Sequence, residues 1–228
     1  MNLFTYIRNW SEVWAFLIPL IIIISQRGKI PVEENLVVKY VIIGLLLNSI
    51  STTMYVYHKE MPVFLKNNNI FYNLHSIARV CLFSWYVFQR KSLQNSKTIR
   101  ILLLIYFCFI LLLFTFFKSP FFLSTPLLMA ETIVLLSLCT IFFYQAIMDD
   151  EQNLLGKPSF LICSGLFIFE AINFFIFLFY KPLGLKINLS FGKLTWTIHN
   201  FSLVFFCIVL AIALYKGSKN TTIEKYDK

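Results

Sequence analysis

Seven stretches stand out as apolar against the polar segments between them, near residues 11–26, 36–57, 69–89, 99–117, 122–147, 159–181 and 192–215. Each is close to the roughly 20 residues a helix needs to cross a hydrocarbon core. Long Leu, Ile and Phe runs with little Gly or Pro fit helical spans, whereas barrel strands would show short alternating segments. The pattern predicts an all-α polytopic membrane protein. The first stretch is the weakest: its core from Val13 to Ser25 is short, contains Pro19 and follows Arg8, as in a signal peptide. Ser25-Gln26-Arg27-Gly28-Lys29 offers no small-residue cleavage site, so a retained first helix is expected. Seven transmembrane helices are expected, with six as the fallback. No linker divides the chain, so 1–228 reads as one transmembrane domain ending in a short basic tail, 216–228.

Five of the seven runs are interrupted by side chains that a bilayer penalises: Asn48; His75 with Arg79; Glu131; Glu170 with Asn173; and His199 with Asn200. Such residues usually face the bundle interior and have partners or a task. Helical spacing groups them. Asn48, Ser51, Thr52 and Tyr55 share a face, as do Tyr72, His75, Ser76 and Arg79, and Thr195, Trp196, His199 and Ser202. Glu170 and Asn173 lie one turn apart, and Ser124 and Glu131 fall on one side of the fifth run. The fourth run has only Tyr106, Cys108 and Thr115 to interrupt hydrocarbon, so it is expected at the periphery, together with the first.

Composition agrees. The chain is 58% hydrophobic and 14% charged, against about 25% charged in soluble domains. Its net charge of +9 (20 basic less 11 acidic residues) falls mainly between the apolar runs, where loop bias explains it better than nucleic acid. Seven basic residues (Arg8, Lys59, Lys66, Lys118, Lys181, Lys186, Lys193) fall on one side. Eleven fall on the other: Arg27, Lys29, Arg90, Lys91, Lys97, Arg100, Lys157 and tail lysines 216, 219, 225 and 228. The imbalance predicts an outside amino terminus and a cytoplasmic carboxyl terminus. At about 1.5 Å per residue, His75 and His199 then lie roughly 10 Å below the outer helix ends, and Arg79 and Glu170 roughly 15–17 Å below. A polar pocket in the outer half, closed beneath by apolar residues, is the expected arrangement. Within it one arginine faces two carboxylates and two histidines, so a second carboxyl must hold a proton or meet an imidazolium.

The five cysteines all fall inside apolar runs, without a C-x-x-C, and read as packing residues. Neither H-E-x-x-H nor a same-helix His pair is present, and no metal or other cofactor is expected. The late paired histidines of alkaline-ceramidase-like hydrolases are missing, since nothing follows His199. The deep seventh-helix lysine of microbial rhodopsins is missing too, with Lys193 and Lys216 only at the ends. Internal repeats of the transporter kind are not evident.

Two segments, Asn69-Ile-Phe-Tyr-Asn-Leu-His75-Ser-Ile-Ala-Arg-Val-Cys-Leu-Phe-Ser-Trp and Trp196-Thr-Ile-His-Asn-Phe, carry a resemblance. With them, and with its Asn-, Lys-, Ile- and Phe-rich composition, the whole chain resembles a group of small, largely uncharacterised seven-helix proteins of Bacteroidetes-type bacteria. The resemblance implies a bacterial inner membrane and an accessory or sensory role beside signalling partners, and transfers no catalytic residue. The function expected is a sensory or accessory module that binds a small or lipophilic ligand, or a partner helix, and signals through a separate cytoplasmic or membrane protein. The alternatives are a proton-coupled transporter using Glu131 and Glu170 and, behind it, an intramembrane hydrolase.

Overall fold

The computed structural model describes residues 7, 9–60, 62, 68–90, 93, 94, 96–117, 125–149, 153–184 and 189–226. Seven α-helices and no strands occur among them: α1 (Ser11–Ser25), α2 (Asn35–Val56), α3 (Asn69–Phe88), α4 (Lys97–Phe117), α5 (Thr125–Met148), α6 (Pro158–Gly184) and α7 (Leu189–Tyr226). The fold is an all-α bundle. Arg8, Lys66, Lys91, Lys118, Lys186 and Lys228, counted toward orientation, and Ser124 lie outside the described residues.

Five helices are long and apolar enough to cross a membrane: α2, α4, α5, α6 and α7. α1 has only 15 residues, and α3 gives up hydropathy to Asn69, Asn73, His75 and Arg79. The outside of the bundle is a belt of bare hydrocarbon, with Phe116 and Phe201 about three-quarters exposed at 74% and 73%. In water such a belt would drive aggregation; in lipid it is the expected coat.

Neighbour contacts close a ring in the order α1, α2, α3, α5, α6, α7 and back to α1, with α4 set outside against α5. α4 is therefore peripheral, as its unbroken hydrocarbon predicts. α1 is not. It packs between α2 and α7 and buries Ser11, Glu12, Ala15, Phe16 and Pro19. Its shortness suggested the rim, yet its small and aromatic residues complete the ring.

Phe16, Tyr40, Phe83, Phe169 and Phe206 come from five helices and form an aromatic layer across the middle. Tyr40 meets Phe83 edge-on with centroids 4.8 Å apart, and Phe169 stacks on Phe206 at 5.3 Å. Asn48, His75, Arg79 and His199 lie on one side of this layer, toward the end where α1 begins and α2 ends. That is the cavity end. On the far side the bundle is filled by Leu135, Leu138, Leu210 and Leu214.

In the segment from residue 216, α7 continues unbroken to Tyr226. Ser218 is buried, with its hydroxyl donating to the Tyr215 carbonyl at 2.8 Å, and Lys216 reaches the Leu155 carbonyl at 3.2 Å. At Gly217 an added Cβ would stand 3.3–3.4 Å from Pro31 and Pro158, so the helix is seated closely in a collar at the far end.

Candidate functional site

Arg79 sits eleven residues into α3 on the face that also carries Tyr72, His75 and Ser76. That face turns into the ring, and Arg79 is buried. Its Nε donates to Glu131 Oε1 of α5 and stands 3.5 Å from Glu170 Oε1 of α6, while its guanidinium lies over the Phe169 ring, 4.9 Å from the centroid. Both glutamates are fully buried. One cation thus ties three helices together. The trio expected from charge counting is formed, and it retains one carboxyl in excess of its single guanidinium.

Arg79 also forms the floor of a cavity of about 40 Å³, lined in addition by Glu12, Asn48, Tyr72, His75, Trp196, His199 and several apolar side chains. A volume of that size holds about three waters and is far below the several hundred Å³ of a drug-sized pocket.

The histidines occupy different settings. His75 of α3 stacks on Tyr40 at 5.8 Å with rings 13° from parallel and meets Phe16 edge-on. It is buried, and its Nε2 has no hydrogen-bond partner among the described residues. His199 of α7 pairs through Nδ1 with Asn173 Oδ1 of α6 at 2.6 Å. Asn173 Nδ2 donates back to the Phe169 carbonyl at 2.9 Å, which assigns its Oδ1 as the acceptor. His199 Nδ1 therefore carries the hydrogen, and in the neutral ring Nε2 is the acceptor. Asn48 Nδ2 likewise donates to the Gly44 carbonyl at 2.9 Å, leaving its Oδ1 as an acceptor.

No protein-family model, curated protein or solved structure matches this chain.

Of the residues picked from the sequence, Asn48, His75, Arg79 and His199 line the cavity. Glu131 and Glu170 stand behind Arg79, and Asn173 behind His199. Asn200 is buried outside the cavity lining, because one residue along a helix rotates by about 100°. The residue that sequence reading missed is Glu12. It is buried in the first turn of α1, accepts a hydrogen bond from Tyr72 Oη at 3.1 Å and bonds the Trp196 side chain. The signal available was an acidic residue beginning an apolar run, which usually means a charge placed at a helix amino terminus. Among the described residues, no three His, Cys, Asp or Glu side chains converge as a metal site requires.

A second charged cluster closes the far end. Glu34, buried before α2, lies 3.7 Å from Arg90 Nη2, which donates to Tyr86 Oη at 2.9 Å and covers its ring.

Proposed function

We propose that this protein is a sensory or accessory module of a bacterial inner membrane, with its amino terminus outside and its carboxyl terminus cytoplasmic. The basic-residue asymmetry supports the orientation, and the resemblance of the 69–85 and 196–201 segments supports the compartment. The observation that carries the mechanism is Arg79 bridging Glu131 and Glu170 at the floor of a small polar cavity. A proton or small ligand reaching that floor alters how one guanidinium is shared between two carboxylates. Because they belong to α5 and α6 while Arg79 belongs to α3, a change in sharing is a change in helix packing. A separate protein at the far end reads it. The basic residues there, among them Arg27, Lys29, Arg100 and Lys157, hold that end against anionic lipid.

Spin labels at Gln89 and Asp149, exposed at the far ends of α3 and α5, test this reading. The label-to-label distance should change between acidic and neutral pH in nanodiscs, and the change should vanish in Glu131→Gln and Glu170→Gln. A distance that ignores both pH and the substitutions sinks the module.

Proton-coupled transport is the second reading, favoured by two carboxylates sharing one arginine. The aromatic layer and the leucines beneath it oppose a continuous polar path in this conformation. Proteoliposome proton flux that disappears in Glu170→Gln would establish transport in place of the module.

A further inference from the structure

The hydrogen-bond directions around the cavity specify what it can hold. Glu12 is an acceptor-rich wall: Tyr72 and the Trp196 indole occupy two of the roughly four lone-pair sites of a carboxylate. Asn48 Oδ1 and His199 Nε2 are acceptors by the assignments above. His75, with 7% of its surface exposed, lines the same space through an imidazole whose Nε2 has no partner among the described residues. The one strong donor, Arg79, is engaged by Glu131 and Glu170. The titratable groups facing or flanking the space are three carboxyls, one guanidinium and two imidazoles. With more acceptors than free donors turned to it, the site suits a cation that brings several N–H donors. Trp196 and Phe177 add aromatic rings to the lining, which attract a cation, and about 40 Å³ limits its size.

We propose that the cavity walled by Glu12, Asn48, His75, Trp196 and His199 is a binding site for a small protonated amine of ammonium or methylammonium size. The amine donates to Glu12, Asn48 Oδ1 and His199 Nε2, above Arg79. This rests on the module reading and names its ligand class.

Radiolabelled methylammonium binding to the full chain in phosphatidylcholine nanodiscs tests it. Binding should be saturable and competed by ammonium, at least tenfold more weakly by sodium, and not by tetramethylammonium, which has no N–H. Glu12→Gln should weaken it at least tenfold. Trp196→Phe, which keeps an aromatic ring and removes the indole N–H from Glu12, should weaken it several-fold and keeps the test valid if Glu12→Gln fails to fold. Loss of methylammonium binding when phosphatidylethanolamine replaces phosphatidylcholine would identify a lipid amine as the natural source. Absence of saturable binding, equal competition by sodium or tetramethylammonium, or indifference to both substitutions would overturn the amine site. The Gln89–Asp149 distance separates the two claims. No binding with a surviving pH-dependent distance change overturns the amine site alone. Binding without any distance change keeps the site and overturns the module.

Discussion

α3 and α4 follow one another, have 20 and 21 residues, and solve opposite problems. α4 has the highest mean hydropathy of the candidate spans, 2.7, and is the least buried, at 22% of its most apolar window. α3 is too polar to count among them, and it buries Asn73, His75, Ser76, Arg79 and Ser84. The contrast teaches that in a bilayer hydropathy measures contact with lipid rather than importance to the fold. A helix too polar to rank as a span supplies the arginine that ties three helices of the ring together.

The widest separation between the two helices should come from Arg79→Leu. It leaves Glu131 and Glu170 buried without their cation and should cost about 3–5 kcal/mol, measured by steric-trapping unfolding in bicelles. A near-neutral result would mean that both carboxyls already hold protons, and the bridge would lose its role. Next comes Gly44→Ala, which reaches α3 from α2. The new Cβ would fall 2.7 Å from the Phe16 ring and 3.2 Å from His75 Nε2, a clash worth about 1–3 kcal/mol of overpacking.

Within the trio, Glu131→Gln should be more destabilising than Glu170→Gln by about 1–2 kcal/mol, since only Glu131 receives the Arg79 Nε hydrogen bond. Equal costs would show that the two glutamates exchange the arginine freely. Arg90→Gln, just past α3, should cost about 1 kcal/mol, because the Arg90 side chain is 29% exposed and solvent partly screens its pairing with Glu34. Smallest of all, Leu111→Ala on α4 should fall within about 0.5 kcal/mol in the same assay, its side chain being 67% exposed. A larger loss there would reveal that α4 packs against something other than lipid.

Much of this contrast was legible in the residues. Period-3.6 stripes put His75 and Arg79 on one face, and charge counting joined Arg79 to two glutamates in other helices. α4 declared its position by having nothing to hide. What escaped was tertiary. Glu12 looks like an ordinary helix-start charge until Tyr72 and Trp196, 60 and 184 residues away in sequence, are found donating to it. α1 was expected at the rim, and its short apolar core with a proline argued weakly for a span, yet closure of a ring depends on shape at the contact. Asn200 was grouped with His199 through adjacency, whereas one step along a helix turns a side chain onto another face. Cavity size was also beyond reach, because no spacing rule reports how far neighbouring walls stand apart.

The seating of Gly217 and Ser218 between Pro31, Pro158 and Gln26 turns α7 into a beam on a fulcrum. From His199 to that pivot is about 28 Å of helix, and from the pivot to Tyr226 about 12 Å more. A sideways shift of about 2 Å at the cavity would then emerge at the far tip as about 0.9 Å in the opposite direction, if the helix stays straight. The mechanical advantage favours force over travel, so a partner gripping that tip would receive a short, stiff push.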